Sequence, residues 1–394
     1  MKVGSLYSGC GSYELAAMIC GMEPVWCAET DRFSSEVLKV RVPKAKKLGD
    51  VTKIDGAEIE PVDILVGSGS IIDKKVKNNG ALADSNEASC FSQMIRIAKE
   101  MLDATNGRSP RYILWENAVT DRKKGEGKAF REILGAFISL RQSDVYVPPA
   151  PGRKWKQAGA VVGTGWSFAW RALTATFYGL PQKRTRDYYL LCTGNERARQ
   201  ILFDCASSKK HQEKSHKEWR SLCRETGDGD NKADLIRGRG KNVDFFRKLY
   251  VDKYCRSEVA SPLTEHLAKE FSDVVIDEDL RMRRLTPREC FRLQGFPDWW
   301  TDKLDGGDMS RYRAAANASP VPCLVDILTK IRLDGEKSIP QWIKPEQDGG
   351  IDCDEEFAEC GMCHAIVYRG WKMKFCPECG ERMEVSDGNA PETV

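Results

Sequence analysis

The sequence predicts an α/β fold, a mostly parallel sheet covered by helices on both faces. Three observations carry that expectation. Short apolar strands alternate with amphipathic helices through the first 205 residues, and a glycine-bearing turn follows the first strand. The composition, 41% hydrophobic and 30% charged with a mean hydropathy of −0.48, excludes wholesale disorder, and no apolar run reaches the ~20 residues of a membrane span. At 394 residues the chain is long enough for two or three domains.

The strands are expected over residues 3–7, 24–28, 62–66, 112–115 and 188–192. Between the third and fourth of these, Phe91, Met94, Ile95, Ala98, Met101 and Leu102 recur on one helical face. From about residue 207 to 241 the periodicity is lost in a charged, Gly-containing stretch, and a Pro- and Gly-punctuated segment continues to about residue 308, together an irregular second lobe. Helical pattern returns over residues 323–332, and Pro340, Pro345 and Gly349-Gly350 mark a linker. The expected domains are therefore 1–200 with 310–335, a lobe over 201–309, a linker over 336–352 and a small module over 353–385.

The formal charge is only +3, but residues 206–250 hold 12 Lys/Arg against 7 Asp/Glu. A basic segment on a near-neutral body suits a phosphate backbone, and equally a solvated loop. Fifteen cysteines, odd in number and mostly single within apolar segments, suit a reducing cytoplasm, and no leader precedes the first strand, so no signal peptide is expected.

After the first strand, Tyr7-Ser8-Gly9-Cys10-Gly11-Ser12 leads into a helix. Gly9 and Gly11 at such a turn let backbone approach a nucleotide-like ligand, with helix N-terminal amides free for polar groups. Glu29 ends the second strand, where an acid takes a ribose diol, and Asp50 in Gly49-Asp50-Val51 follows a third, placed for an adenine amine. Three such features in register favour an adenosyl cofactor.

Further motifs resemble the DNA cytosine-C5 methyltransferase family, in particular its phage-type members, through residues 3–205 and 283–330. Trp115-Glu116-Asn117-Ala118 is similar to the family's Glu-Asn-Val segment, and Gln182-Lys183-Arg184-Thr185-Arg186 to its Gln-x-Arg-x-Arg. Arg284-Leu285-Thr286-Pro287-Arg288-Glu289-Cys290, continuing to Leu293-Gln294-Gly295-Phe296-Pro297, resembles its penultimate motif, and Asn317 with Val321-Pro322 its last, where the chain returns over the cofactor. The resemblance implies a Rossmann-like S-adenosylmethionine-dependent methyltransferase domain, with Tyr7, Gly9, Gly11, Glu29, Asp50 and Asn317 at the cofactor. It also implies a double-stranded DNA partner, a flipped base held by Glu116 with Arg184 or Arg186, and, for a phage-encoded chain, a bacterial host cytoplasm.

One residue departs from that pattern. In the family a thiolate from Gly-Phe-Pro-Cys-Gln adds to C6 of the pyrimidine, because C5 alone cannot attack a sulfonium methyl. Here Gly67-Ser68-Gly69-Ser70-Ile71-Ile72 follows the strand, so Ile71 stands at the cysteine's place and Ser70 at the proline's. Ser70 as nucleophile would be a poor alcohol substitute; Cys90 starts the next helix and reads as core, and Cys10 as a small residue of the turn. Ordinary C5 methylation is therefore not expected, and two functions stay open: alkylation of a cytosine-type base, including an already modified one, by a route without the C6 adduct, or DNA binding without catalysis.

By the same resemblance the second lobe reads the recognition sequence. Arg237, Arg239 and Lys241 in Arg237-Gly238-Arg239-Gly240-Lys241 suit phosphates or guanine edges, Gln182 lies with the DNA-contacting residues, and Lys74 and Lys75 sit in the loop that closes over the base. Near the end, Cys360-Gly361-Met362-Cys363 and Cys376-Pro377-Glu378-Cys379 are two Cys-x-x-Cys knuckles at tetrahedral Zn2+ spacing, in a segment too short to bury a core otherwise. A structural zinc ribbon, open to a protein partner, is expected there, with His364 a bystander.

Overall fold

Strand β1 (Lys2–Leu6) is buried along all but its first residue, which is why it reads as a continuous apolar run rather than an alternating one. It is the middle strand of the sheet's parallel part. The computed structural model describes residues 1–69, 89–118, 127–143, 145–150, 152, 154–203, 244–250, 253–257, 260–263, 273–276, 282–302, 304–337, 342–343, 357–360 and 366–368. Around β1 are β2 (Glu23–Ala28), β3 (Lys46–Lys47), β4 (Ile64–Ser68) and β5 (Tyr112–Ala118), then β6 (Ala158–Gly163), β7 (Trp166–Thr174) and β8 (Thr185–Cys192), in the order β3-β2-β1-β4-β5-β8-β7-β6.

The first five strands are parallel, as expected. The other three correct the expectation of a mostly parallel sheet continuing to the far edge: β8 runs antiparallel to both β5 and β7, and β7 to β6. The cause is the length of the connections. β6 and β7 are joined by the two-residue turn Thr164-Gly165, and β7 reaches β8 through a single 3-10 turn, Ala175–Tyr178. Neither leaves room for the crossover helix that parallel pairing demands.

Helices α1 (Ser12–Ile19), α2 (Arg32–Arg41), α3 (Cys90–Ala104) and α4 (Lys128–Ser139) cross between strands. α3 buries Phe91, Met94, Ile97, Ala98, Met101 and Leu102. Ile97 takes the buried place expected of Ile95, which is half-buried. Under α3 and α4 lies an aromatic core of Trp115, Phe130, Phe137, Phe168 and Tyr189.

The lobe expected to be irregular carries an ordered antiparallel sheet in its described residues, β9 (Asp244–Tyr250), β10 (Lys253–Arg256), β11 (Asp273–Ile276) and β12 (Met282–Arg284), in the order β10-β9-β11-β12. Helices α5 (Ala198–Phe203), α6 (Pro287–Leu293), α7 (Asp308–Asn317) and α8 (Val321–Lys337) complete the described helices. The chain divides into two compact units, Met1–Thr329 and Lys330–Val394. In the second, β13 (Trp342–Ile343), β14 (Phe357–Cys360) and β15 (Ile366–Tyr368) form an antiparallel sheet, so residues expected to be linker supply a strand, and α8 extends to Lys337 inside the same expected linker. No helix among the described residues is long and apolar enough to cross a membrane.

The motif from Arg284 to Pro297 has a local structural reason. Thr286 caps α6 in a reciprocal capping box with Glu289, and Pro287 opens the helix where its missing N–H costs nothing. Arg283 grips the Glu289 carboxylate with both guanidinium nitrogens at 2.9 Å. Gly295 then follows the helix's C-cap at φ 86°, and a Cβ there would lie 2.6 Å from Pro322 Cδ. Gly295→Ala meets both penalties, and thermal or urea unfolding of the variant should show a loss of about 2 kcal/mol or more.

Candidate active site

The turn after β1 is built by backbone that few side chains tolerate. Tyr7 has φ 54° and Gly11, which caps α1, has φ 88°. A non-glycine residue held in the left-handed region marks a position over-determined by its surroundings. Those surroundings are on both sides of the turn. The Gly9 amide donates to Glu29 Oε2 at 2.7 Å, and Glu29 Oε1 accepts from the amides of Thr30 and Asp31 at 2.8 and 2.7 Å. Three of the carboxylate's roughly four acceptor positions are thereby used to shape the turn, leaving one for a ligand hydroxyl. From the other end of the sequence, the Trp300 indole N–H donates to the Cys10 carbonyl at 2.7 Å, with its ring 3.0 Å from where a Gly11 Cβ would stand. The Ser319 amide donates to Ser12 Oγ at 3.1 Å.

Beneath the turn lies Glu14, fully buried in the first turn of α1. The Ser5 hydroxyl donates to its Oε1 and contacts the Ser8 hydroxyl at 2.6 Å, while Oε2 is buried without a partner among the described residues. Burial pushes this carboxyl up to about 7, against the lowering by Ser5. Asp50 follows β3 and accepts from the amide and hydroxyl of Thr52 at 3.0 and 2.8 Å, which hold it below the ordinary carboxylate range. The Tyr7 phenol shares a hydrogen bond with the Cys90 thiol and meets the Trp115 ring edge-on at 6.4 Å.

The second half of the site sits at the C-terminal end of β5. Register places Glu116 level with Ser68 on β4 and Tyr188 on β8. Glu116 is 3% exposed; its Oε1 lies 3.3 Å from Arg186 Nε, and its Oε2 is buried with no partner among the described residues. The two arginines of the motif separate here. Arg184 is buried and donates to the carbonyls of Leu263, Ala316 and Ala318 at 3.3, 3.0 and 3.0 Å. Burial, then the neighbouring Arg186 charge, brings its guanidinium down to about 9. Arg184 therefore ties segments together, and Arg186 is the arginine that meets Glu116.

Other expected residues fall differently. Gln182 is fully buried, so it does not reach DNA in this conformation; the parallel bridge to Ala260 holds its backbone inside. Asn317 ends α7 exposed. Ser70, Ile71, Lys74, Lys75, Arg237, Arg239, Lys241, Cys363, Cys376 and Cys379 lie outside the described residues, as does the side chain of Cys360 at the end of β14. Burial raises the thiols of Cys10, Cys27, Cys290 and Cys323, so none of these four is a ready thiolate. Cys90, read as core, is half-buried and packs on that core.

Sequence reading missed Trp300, Glu14 and the trio of Tyr13, Ser68 and Ser319. The Ser319 hydroxyl donates to Tyr13 Oη at 3.3 Å beside Glu116. A tryptophan pair, Trp299-Trp300, one residue after Gly295-Phe296-Pro297 was the one available signal.

A five-stranded parallel core with a glycine turn after the first strand and an acid after the second, extended by antiparallel strands, is the fold of S-adenosylmethionine-dependent methyltransferases. Dnmt2 methyltransferase of S. pombe shares it with a TM-score of 0.53 at 14% identity, covering 85% of this chain and 99% of that one. A DNMT2 variant of Spodoptera frugiperda does so with a TM-score of 0.51 at 15% identity, covering 84% and 99%. The chain belongs to the C-5 cytosine-specific DNA methylase family, whose pattern matches residues 1–147 and 204–332. It is 25% identical over 356 residues to the type II methyltransferase M1.ScrFI of Lactococcus lactis subsp. cremoris, covering 86% of this chain and 79% of that protein. It is 26% identical over 208 residues to a DNA N-6-adenine-methyltransferase of Escherichia phage P1, 46% of this chain but only 27% of that protein. The chain thus matches about a quarter of the phage protein's length.

The Glu14 shift has a pH consequence with a definite sign. The carboxyl titrates at 4.5 when unperturbed and at about 7 in the fold, so the folded unit binds the proton more tightly. Stability from neutral Glu14 is complete below about pH 4.5 and is lost as pH rises through 7. Unfolding measured across that window should reveal a loss of up to about 3 kcal/mol in the wild type that Glu14→Gln removes.

Proposed function

We propose that the chain binds S-adenosylmethionine and double-stranded DNA, takes a cytosine-type base out of the duplex, and directs alkylation to an atom that needs no protein thiolate. The acceptor is the exocyclic amine, or a hydroxyl on an already modified pyrimidine. The observation that carries this is Glu116, a buried carboxylate held by Arg186 on one oxygen and open on the other. It stands beside the strand that leads to Ile71, where the family's thiol is missing. The open oxygen suits a hydrogen bond from a ring N–H or an exocyclic amine, and Arg186 suits the adjoining carbonyl.

The glycine turn, the remaining acceptor position of Glu29 and the exposed edge of Asp50 fit an adenosyl group, which supplies an electrophilic methyl when bound. The carbon–sulfur bond breaks, a bond to nitrogen or oxygen forms, and the acceptor's proton passes to Glu116 or to water. Lys74, Lys75, Arg237, Arg239 and Lys241 are proposed DNA contacts on their charge and place in the sequence.

A non-catalytic DNA-binding protein is the competing reading, favoured by the same missing thiol. Mass spectrometry of nucleosides from DNA of expressing cells separates them. An alkylated base other than 5-methylcytosine, absent with Glu116→Gln, is the expected result; no new nucleoside in any host, with DNA binding intact, supports the non-catalytic reading instead.

For the tail we propose one Zn2+ held by Cys360, Cys363, Cys376 and Cys379, in a ribbon available to a protein partner. Four thiolates in two Cys-x-x-Cys pairs suit a closed tetrahedral site, and the first pair begins at the end of β14, ahead of β15. Metal analysis of the purified chain should give one equivalent of zinc, lost on joint Cys376→Ser and Cys379→Ser substitution.

A further inference from the structure

Residues 122–156 carry nine Lys/Arg against three Asp/Glu, a denser excess than that of the second lobe. The sheet determines where its described residues lie. Ala118 at the end of β5 pairs with Arg186 on β8, Thr174 at the end of β7 pairs with Thr185, and Ala158 at the start of β6 pairs with Arg171. These strand ends therefore form one edge, the edge that carries Glu116 and Arg186. The chain after α4 climbs back to it. Val147 O accepts from Arg131 Nε at 2.6 Å, the Trp155 indole donates to Gly127 O at 2.9 Å, and Lys156 O accepts from the Trp170 indole at 3.0 Å.

Lys128, Lys154, Lys156 and Lys183 are all exposed along this edge. Glu132 is the one acidic side chain among the described residues of 127–156. Two aromatics interrupt the lysines. Tyr146 is 73% exposed with the Arg131 guanidinium 5.3 Å from its ring centroid. Phe177 is 80% exposed although its turn is pinned by its neighbour Tyr178, buried with its hydroxyl donating to Asp326 at 3.2 Å. An ordered turn thus holds a phenylalanine ring in water beside the site.

We propose that this edge is a second nucleic-acid surface, on which Lys128, Lys154, Lys156 and Lys183 hold backbone phosphates flanking the base at Glu116 and Phe177 rests against an unstacked base or a sugar face. The inference rests on the reading that the chain binds DNA. Lys154, Lys156, Phe177 and Lys183 lie outside the segments that the family pattern matches, and Lys128 lies within them. Phosphate contacts position the duplex and release counterions, and an aromatic face adds a sequence-tolerant contact.

Duplex binding by anisotropy over a salt series tests it, comparing wild type with Lys128→Gln/Lys154→Gln/Lys156→Gln and with Phe177→Ala. The triple variant should flatten the slope of log K against log salt by about 2 to 3. Phe177→Ala should weaken binding about 5-fold or more at unchanged slope. Melting temperature and S-adenosylhomocysteine affinity should not move in either. If the wild type binds duplex and the triple variant keeps its slope, the phosphate surface is overturned; unchanged affinity in Phe177→Ala overturns the aromatic contact. A wild type that binds no duplex at low salt overturns the proposed function and this surface with it.

Discussion

A buried guanidinium caged by backbone carbonyls holds the site together. Arg184 donates to three carbonyls, one at Leu263 and two flanking Asn317, and so fixes the start of β8 against two segments far away in the sequence. Burying that charge is costly, as the fall of its pKa to about 9 indicates, and the carbonyl cage is what offsets the cost. With residues 316–318 fixed, the Ser319 amide meets Ser12 and the last motif lies on the turn that begins α1. Trp300 closes the same turn from the preceding segment. The left-handed geometry at Tyr7 and Gly11 is thus sustained from both ends of the unit, and removing the cage would release more than one contact.

The same constraint divides labour between two residues that sequence could not tell apart. Arg184 and Arg186 are of one type, two positions apart, and either could have met the base. Only the carbonyls brought to Arg184 by residues 263 and 316–318 decide it, and those contacts span 79 to 134 residues of sequence. What was legible was local. β1, β2, β4 and β5 are apolar runs, and α3 shows its face by period. The hairpin of β6 and β7 was missed because Ala158–Gly163 holds two glycines and only small side chains, although Trp166, Phe168 and Trp170 alternate on one face of its partner. The sheet of the second lobe was hidden by charge: Asp244, Arg247, Lys248 and Lys253 sit within its paired strands.

The site that results is organised on three sides and departs from its family on the fourth. The carboxylate, its arginine and the glycine turn are in place, and Ile71 stands in the sequence where the family's cysteine does. Burial raises the thiols of Cys10, Cys27, Cys290 and Cys323. Cys323 lies nearest Glu116 in its electrostatics, yet burial and the carboxylates of Glu116 and Asp326 hold it as the neutral thiol. Cys90 is hydrogen-bonded to Tyr7 beside the glycine turn. The proposed chemistry draws on the acceptor's own lone pair and so does not call for a C6 adduct.

That distinction is read most directly by trapping. Incubated with S-adenosylmethionine and duplex DNA carrying 5-fluorocytosine, the wild-type chain should give no complex that survives denaturing electrophoresis, while binding the same duplex under native conditions. A denaturation-resistant protein–DNA band from the unmodified protein would mean that a side chain does add to C6, and the thiolate-independent account would be wrong.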